Sequence, residues 1–374
     1  MGERRARRVV VSAVTVMLAA LMMRDASLAA DAIKQGLSLC ARTMIPSLFP
    51  FMVVSELIVR SDAGRWISRA SAWLLRPLLG MSEAGCCAVT LGGLCGFPVG
   101  ARTAAAYYRR GEMSAEEFGR VICFCNVPSA AYLIGAVGCS LYTNVAVGRA
   151  LWWLSLGAAL VVGLILRPRR HPAPKLSDIP SRRAVKGTEA LPLADAIRGG
   201  ADGMMNVCAA VLLFSAIGAV VGRYLVAFGV SKVWRAAVIG ALELSTGAEV
   251  AAACKGETAL LLGAAAVGWG GLSVHCQIAS VCADCPFPVR RFALARLAQA
   301  VLCTLGMWGL IRLGAVECGA MQETMRPVLL WASGTLTKDA SGVWCVIWGA
   351  LFAAACLSRG ICAWRNRYGK KARA

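Results

Sequence analysis

Residues 91–101 read LGGLCGFPVGA, and residues 239–248 read IGALELSTGA. Each stretch is largely apolar but contains glycines, and the first also places a proline between two glycines. Glycine and proline both disfavour the interior of an α-helix, so each stretch predicts two helices joined by a tight turn. Three alanines follow each one, at 104–106 and 251–253, which indicates that the two stretches are copies of one element.

The similarity between the two halves of the chain extends to both sides of these stretches. The sequence DAIKQG at 31–36 matches DAIRGG at 195–200, and an apolar segment follows each. Downstream, each half has an interrupted apolar segment, FCNVPSAA at 124–131 and GWGGLSVHCQ at 268–277, and then an uninterrupted one. The order predicts two repeats, each with an apolar helix, a hairpin, a broken helix and a closing helix.

The composition places these repeats in a membrane. Of the 374 residues, 58% are hydrophobic and only 16% are charged, with a mean hydropathy of +0.64. Soluble domains carry about 25% charged residues, and a spanning helix needs about 20 apolar residues. We therefore predict an all-α, polytopic membrane protein whose partner is the lipid bilayer, and we exclude a disordered protein and disfavour a water-soluble enzyme.

The net charge of +20 is explained by basic residues that collect in cytoplasmic loops, so no nucleic acid is expected as a partner. The same rule predicts the direction of each segment and places both termini in the cytoplasm. The predicted segments are an N-terminal transmembrane helix (1–30), the first repeat (31–167), a basic cytoplasmic linker (168–194), the second repeat (195–316), an extracytoplasmic loop (317–341), a C-terminal transmembrane helix (342–358) and a basic cytoplasmic tail (359–374).

This direction requires each repeat to cross the membrane an odd number of times. Four membrane segments satisfy that count only if one of them enters and leaves on the same side, and the hairpins at 84–106 and 233–253 are the candidates. Two odd-crossing repeats are inverted relative to each other. The fold prediction is therefore two inverted repeats, each with a re-entrant hairpin and a broken transmembrane helix.

The four helix interruptions predict one central binding site, because irregular backbone at membrane depth must be buried in protein or line a wet cavity. Free helix N-termini at such a site favour an anion. A carboxylate such as Glu243 is functional by default there, as a proton or cation site, a substrate contact or an ion-pair partner. The candidate substrate-binding residues are Gly96, Pro98, Gly100, Asn126, Pro128, Ser129, Glu243, Ser245, Thr246, Ser273, His275 and Gln277.

Two arginines, Arg149 and Arg296, occupy similar places in the closing helices of the two halves. We expect them to snorkel to the cytoplasmic side, with pairing to a carboxylate as the alternative. Most of the 17 cysteines lie in apolar runs and behave as small hydrophobic residues. The single pair at Cys282 and Cys285 has no partner pair at zinc-ligand spacing.

The sequence accordingly predicts no catalytic residues, no metal site and no cofactor, and it leaves a proton or sodium open as a coupling ion. It contains no phosphate-binding loop and no nucleophile-elbow motif, so it is not expected to be an enzyme. A carrier of a small-molecule substrate is the leading interpretation, with self-association into a homo-oligomer as a further option.

Four motifs carry a resemblance to a known family: IPSLFPF at 45–51, GFPVGA at 96–101, NVPS at 126–129 and GGLSVH at 270–275. Together they resemble the sporulation integral membrane protein family, which is built from nucleoside-recognition (Gate) domains, over roughly residues 31–316. The resemblance implies a fold similar to the concentrative nucleoside transporters and an endospore-forming source. It also implies transport of dipicolinic acid, with the membrane around the forespore as the place of action.

These observations predict a permease that moves a small polar, anionic metabolite by alternating access, with dipicolinic acid during sporulation as the expectation that comes from the resemblance. The first hairpin, at 92–101, offers no hydrogen-bonding side chain beyond a cysteine, which argues against recognition of a base and a ribose. A nucleoside carrier of the same fold is kept as an alternative, and so is a non-transporting scaffold of a sporulation membrane complex.

Overall fold

The structure, a computed structural model, describes residues 2–168, 192–254 and 256–316. Every regular element in these ranges is a helix, which confirms the all-α class. The predicted segments 317–341, 342–358 and 359–374, and most of the linker 168–194, lie outside the described residues. The helices are α1 (Gly2–Arg24), α2 (Ala26–Leu39), the π-helical segment π1 (Cys40–Met44), α3 (Ile45–Arg60), α4 (Asp62–Leu79), α5 (Glu83–Cys95), α6 (Val99–Arg109), α7 (Ala115–Val121), the π-helical segment π2 (Ala131–Leu141), α8 (Val145–Ile165), α9 (Pro192–Ala227), α10 (Lys232–Leu242), α11 (Leu244–Ala252), α12 (Glu257–Trp269), α13 (Gly271–Val281) and α14 (Val289–Arg312).

Five helical stretches among the described residues are long and apolar enough to cross a membrane, which agrees with a polytopic membrane protein. The first of them joins α2, π1 and α3, and the fourth joins α12 and α13. The apolar part of α1, Ser12–Arg24, is shorter. The predicted N-terminal helix 1–30 is divided at Asp25, where α1 ends and α2 begins. The five stretches are Ala26–Val59, Val145–Ile165, Leu193–Ala227, Glu257–Val281 and Val289–Arg312.

The two halves of the described chain follow the same order of elements. In each half a long apolar helix (α3 or α9) precedes a helical hairpin (α5–α6 or α10–α11), an interrupted helix (α7–π2 or α12–α13) and a single closing helix (α8 or α14). Both hairpins lie where the glycine-bearing stretches predicted them. The inverted relation of the halves and the re-entrant path of the hairpins stay predictions.

The first half also contains α4, which lies between the apolar helix and the hairpin. Its exposed face includes Trp66 and Arg69, while Ser68 and Ala72 are buried. The chain then bends by 100° into α5 through Gly80, whose φ of +61° favours glycine. Helix α4 is therefore an amphipathic surface helix that leads into the first hairpin.

Packing between the halves brings the interruptions to the centre of the described structure. Helix α9 packs against α2 and α3, and α14 packs against α12 and α8. The approach of α12 to α14 is close, because a Cβ atom added at Gly268 would lie 2.4 Å from Ala300 Cα. Small residues at such crossings let helix backbones approach each other in a membrane.

Candidate functional site

The tip of the first hairpin packs directly on the break of the first interrupted helix. The Phe97 backbone N–H donates to the Val127 carbonyl oxygen at 2.9 Å. Gly96 has a φ of +89°, and a Cβ atom added there would lie 2.7 Å from the Ser129 nitrogen. Glycine is therefore required at this position both by the backbone conformation and by the lack of space.

Two further glycines let the interrupted helix pass close to the hairpin. A Cβ atom at Gly92 would lie 1.8 Å from the Cys125 carbonyl oxygen, and one at Gly100 would lie 2.0 Å from the same atom. Gly92 is in α5 and Gly100 is in α6, so the Cys125 carbonyl touches both arms of the hairpin. Gly96 and Gly100, predicted as substrate contacts, are thus used for packing in this structure.

Asn126 connects the break to the second arm of this hairpin. Its Oδ1 accepts the backbone N–H of Ala101 at 2.9 Å, and its Nδ2 donates to the Ile122 carbonyl oxygen at 3.0 Å. Pro98, the N-cap residue of α6, makes no side-chain capping bond, so Asn126 satisfies one of the free N–H groups of the α6 N-terminus. Asn126 holds the hairpin in place and does not line the cavity described below.

The second hairpin packs on the second interrupted helix in a similar way. Trp269 Nε1 donates to the Ala241 carbonyl oxygen at 3.0 Å. A Cβ atom at Gly271 would lie 3.0 Å from the Leu244 nitrogen. At this tip Glu243 has extended backbone and caps α11, and its carboxylate accepts the Thr246 N–H at 2.6 Å. A carboxylate is favourable at a helix N-terminus, so Glu243 already occupies that position.

A small cavity lies where both hairpin tips and both interrupted helices meet. The long apolar helices of the two halves complete its wall. Five of the predicted substrate-binding residues line it, namely Pro128, Ser129, Glu243, Ser245 and Gln277. Its other lining residues are Met44, Leu48, Phe97, Tyr132, Val207, Val211, Leu244 and Val274.

The polar groups of the cavity wall are few and mostly fixed by one another. The Tyr132 hydroxyl donates to Ser245 Oγ at 3.2 Å, which joins the two halves across the cavity. Ser129 Oγ accepts the Tyr132 N–H at 3.2 Å. Gln277 Nε2 donates to Ser273 Oγ at 3.2 Å, whereas the buried Gln277 Oε1 has no partner among the described residues. Because buried polar atoms are normally paired, this oxygen points to a ligand.

The remaining candidates of the second half lie behind or beside the cavity wall. Ser273 is buried and holds Gln277, and Thr246 binds Glu243 through its backbone. His275 lies beside Trp269 and Phe292, with ring centroids 4.3 and 5.1 Å away, and its Nδ1 is 2.8 Å from the Gly271 carbonyl oxygen. The structure does not bring His275 to the cavity.

Two aromatic residues are among the lining residues that were not predicted from the sequence, although a signal for one of them was present. Tyr132 lies one helical turn after Ser129, so a residue facing the same side was expected at that spacing. Phe97 lies between Gly96 and Pro98 at the first tip, where the direction of its side chain depends on the conformation of the turn. Both residues give the cavity aromatic walls.

Arg296 corrects one expectation, because it does not snorkel to the surface. It is 1% exposed. Its Nε donates to the Trp269 carbonyl oxygen at 3.1 Å, and its Nη1 donates to Asn126 O at 2.8 Å and to Gln299 Oε1 at 2.6 Å. These acceptors replace the water that the guanidinium loses on burial. Arg149 in the first half is exposed, and the side of the membrane that it faces stays a prediction.

One ion pair at the end of α6 ties the first hairpin to the segment that follows the second interrupted helix. Arg109 donates to both carboxylate oxygens of Asp284, at 2.6 and 2.8 Å, and to the Val281 carbonyl oxygen at 2.9 Å. The hydrogen bond from the guanidinium lowers the pKa of Asp284 to about 2. Within the described residues no group of three or more His, Cys, Asp and Glu side chains could hold a metal ion.

Comparison with known proteins gives one informative relative. The chain is 26% identical over 310 residues to the sporulation integral membrane protein YlbJ of Bacillus subtilis (strain 168), an alignment that covers 72% of this chain and 74% of the relative. No family model and no solved structure matches the chain. Together with the apolar helices, this similarity identifies a multi-pass integral membrane protein related to a sporulation membrane protein.

Proposed function

We propose that this protein is a secondary transporter that carries a small polar, anionic metabolite by alternating access. The observation that carries the proposal is the cavity in which two hairpin tips and two interrupted helices meet, with the unpartnered oxygen of Gln277 on its wall. An apolar wall with a few placed polar groups is typical of a small-molecule site. Breaks that converge on one site are typical of transporters built from repeats.

Dipicolinic acid is the substrate that we propose for this site. The name of the Bacillus subtilis relative supports a role in sporulation, and the cavity wall combines aromatic and apolar surface with the hydroxyl groups of two serines. Phe97 and Pro128 would contact the ring, and the hydroxyl groups of Ser129 and Ser245 would bind carboxylate oxygens. The location would be the membrane around the forespore, with both termini in the cytoplasm.

Binding of this anionic substrate depends on the charge of Glu243, because an ionised carboxylate on the cavity wall repels an anion. We therefore propose that Glu243 carries a proton, or lies beside a sodium ion, when the anion is bound. A gradient of that cation would then drive transport. Glu243 thus becomes the coupling residue of the proposed carrier.

A nucleoside is the second candidate substrate, and one observation favours it. The described cavity wall contains a carboxylate and an amide oxygen but no basic side chain, and such acceptors bind the N–H and O–H groups of an uncharged base and ribose. Charge therefore separates the two candidates. A dianion requires a compensating cation in this cavity, whereas a nucleoside does not.

The test is uptake of labelled dipicolinate by proteoliposomes, with and without a proton or sodium gradient. We expect saturable uptake that falls at least about tenfold in Ser245→Ala and Gln277→Leu. Ser155→Ala is the matched control, because Ser155 is equally buried but donates to the Trp152 carbonyl oxygen in α8, away from the cavity. Competition by nucleosides would favour the second candidate. Folded protein that takes up neither compound would refute transport and leave the scaffold interpretation.

A further inference from the structure

Arg296 is the largest fully buried side chain in the part of the chain that the structure describes. It faces backbone carbonyls and an amide, and no carboxylate among the described residues forms an ion pair with it. A buried charge without a counter-ion is costly. The side chain therefore requires an explanation beyond filling space in α14.

The acceptors of Arg296 come from both interrupted helices. Its Nε and Nη2 donate to the Trp269 and Val267 carbonyl oxygens, at 3.1 and 3.3 Å, which belong to the last turn of α12. Its Nη1 donates to Asn126 O in the other break. Gln299, one turn along α14, donates to the Cys123 carbonyl oxygen at 2.9 Å. Two side chains of α14 thus hold both breaks.

These contacts neutralise backbone carbonyl groups at both breaks. The last carbonyls of a helix are unpaired and carry partial negative charge. The guanidinium faces those at the end of α12 and also the Asn126 carbonyl, five residues beyond the end of α7. The following half-helices start beside the cavity, since Ser129 and Tyr132 line the cavity at the start of π2 and Val274 lines it in the first turn of α13. The N-terminal turns of both half-helices therefore border the cavity.

We propose that Arg296 is a positioning residue of the substrate site, which ties the C-terminal end of α12 and the break after α7 to α14 and so directs the N-terminal ends of the half-helices that follow, π2 and α13, at a negatively charged ligand. Gly270 makes room for this arrangement, because a Cβ atom there would lie 2.9 Å from Arg296 Nη2. The inference rests on the proposed function in that it assigns the charge preference of the same cavity. Arg296 itself does not line the cavity.

The test compares two probes of the same shape and different charge, dipicolinate and the uncharged pyridine-2,6-dicarboxamide. Their binding to the purified full chain in nanodiscs is measured by calorimetry. We expect Arg296→Met to reduce the preference for dipicolinate over the diamide by at least about tenfold, because at an effective dielectric constant near 20 one pair of unit charges roughly 12 Å apart already contributes a tenfold change. Arg296→Lys keeps the charge and should retain most of the preference.

Gln299→Met is the matched control, because it removes a hydrogen bond from the same network and leaves the charge of Arg296 in place. Gln299→Met should weaken the binding of both probes by the same factor. If Arg296→Met also weakens both probes by one common factor, Arg296 only supports the fold and the proposal is refuted. Should Arg296→Met not fold, Gln299→Glu places a carboxylate beside the guanidinium and should cause the same loss of preference.

A second measurement separates this inference from the proposed function. Hydrogen exchange followed by mass spectrometry reports on the two breaks, residues 126–131 and 268–273, without any ligand. Arg296→Met should speed hydrogen exchange in both breaks. Unchanged exchange in the first break would refute the claim that Arg296 holds this break against α14. If the wild-type protein binds neither probe, the proposed anion transport fails, and the exchange result alone decides the role of Arg296.

Discussion

Replacing Gly92 by alanine should push the first hairpin off the interrupted helix on which it packs. The added methyl carbon would lie 1.8 Å from the Cys125 carbonyl oxygen, whereas a carbon–oxygen contact normally needs about 3.3 Å. The two chains must therefore separate by about 1.5 Å. Both sides of the contact are backbone, so no flexible side chain can relieve it.

The expected loss of stability follows from this geometry. Overpacking a core typically costs about 1–3 kcal/mol and occasionally more, and we expect Gly92→Ala to fall at or above the upper end of that range. Gly157→Ala in α8 is the matched control, because its methyl group meets nothing within 4 Å. Alanine there should stabilise the helix by about 0.5–1 kcal/mol. At Gly93 the added carbon lies 3.3 Å from Leu156 Cδ2, a side chain that can move, so the effect should be small.

The assay is thermal unfolding of the purified protein in detergent, followed with a thiol-reactive fluorophore. Cys86, Cys87, Cys125 and Cys303 are buried in the folded protein, so they react only when it opens. Gly92→Ala should melt well below the wild type, Gly93→Ala close to it and Gly157→Ala at or above it. Equal melting of Gly92→Ala and Gly157→Ala would refute the close contact between hairpin and break.

Further substitutions test three other contacts. Asn126→Ala removes the acceptor for the Ala101 N–H and should cost about 1–3 kcal/mol, measured by the same melting assay, with Asn126→Asp retaining part of the stability because it keeps the acceptor. In Gly270→Ala the new Cβ atom would lie 2.9 Å from Arg296 Nη2 on a residue with a φ of +83°, so the protein should lose at least about 1 kcal/mol of stability. An unchanged melting temperature would contradict the left-handed conformation at this position. Asp284, with a folded pKa of about 2 below its unfolded value near 4, adds stability above pH 4 that is lost as the pH falls through 2. Asp284→Asn or Arg109→Gln should remove this small pH-dependent part, so melting curves of wild type and variant that differ at pH 6 should converge below pH 2.

The sequence was sufficient to predict the path of the backbone around the site. Gly96 and Pro98 lie at the first tip, and Pro128 and Gly270 lie at the two breaks, so the hairpins and the interrupted helices were predicted close to their observed bounds. These signals are local, because they depend on the allowed backbone angles of one residue and on a missing N–H group. The convergence of the breaks followed from the need to bury irregular backbone.

The partners of individual side chains could not be predicted in the same way. Arg296 and Arg149 stand at similar places in their closing helices, yet one is buried and the other is exposed. The difference depends on carbonyl groups supplied by α12 and by the first break, which no local pattern contains. Asn126 shows the same limit, because its role as the cap of α6 depends on a hairpin that precedes it by 25 residues.

The two hairpins differ in the side chains at their tips, although the packing of their arms is similar. In the second hairpin a Cβ atom at Gly247 would lie 2.2 Å from Gly240 Cα, so a glycine pair holds its two arms together as Gly92 and Gly100 do in the first. Because glycines hold the arms of both hairpins together, side chains next to the turns can differ between the halves. One tip presents the apolar ring of Phe97 to the cavity and the other presents the carboxylate of Glu243. The first half therefore shapes the cavity, while the second supplies most of the groups that can recognise charge.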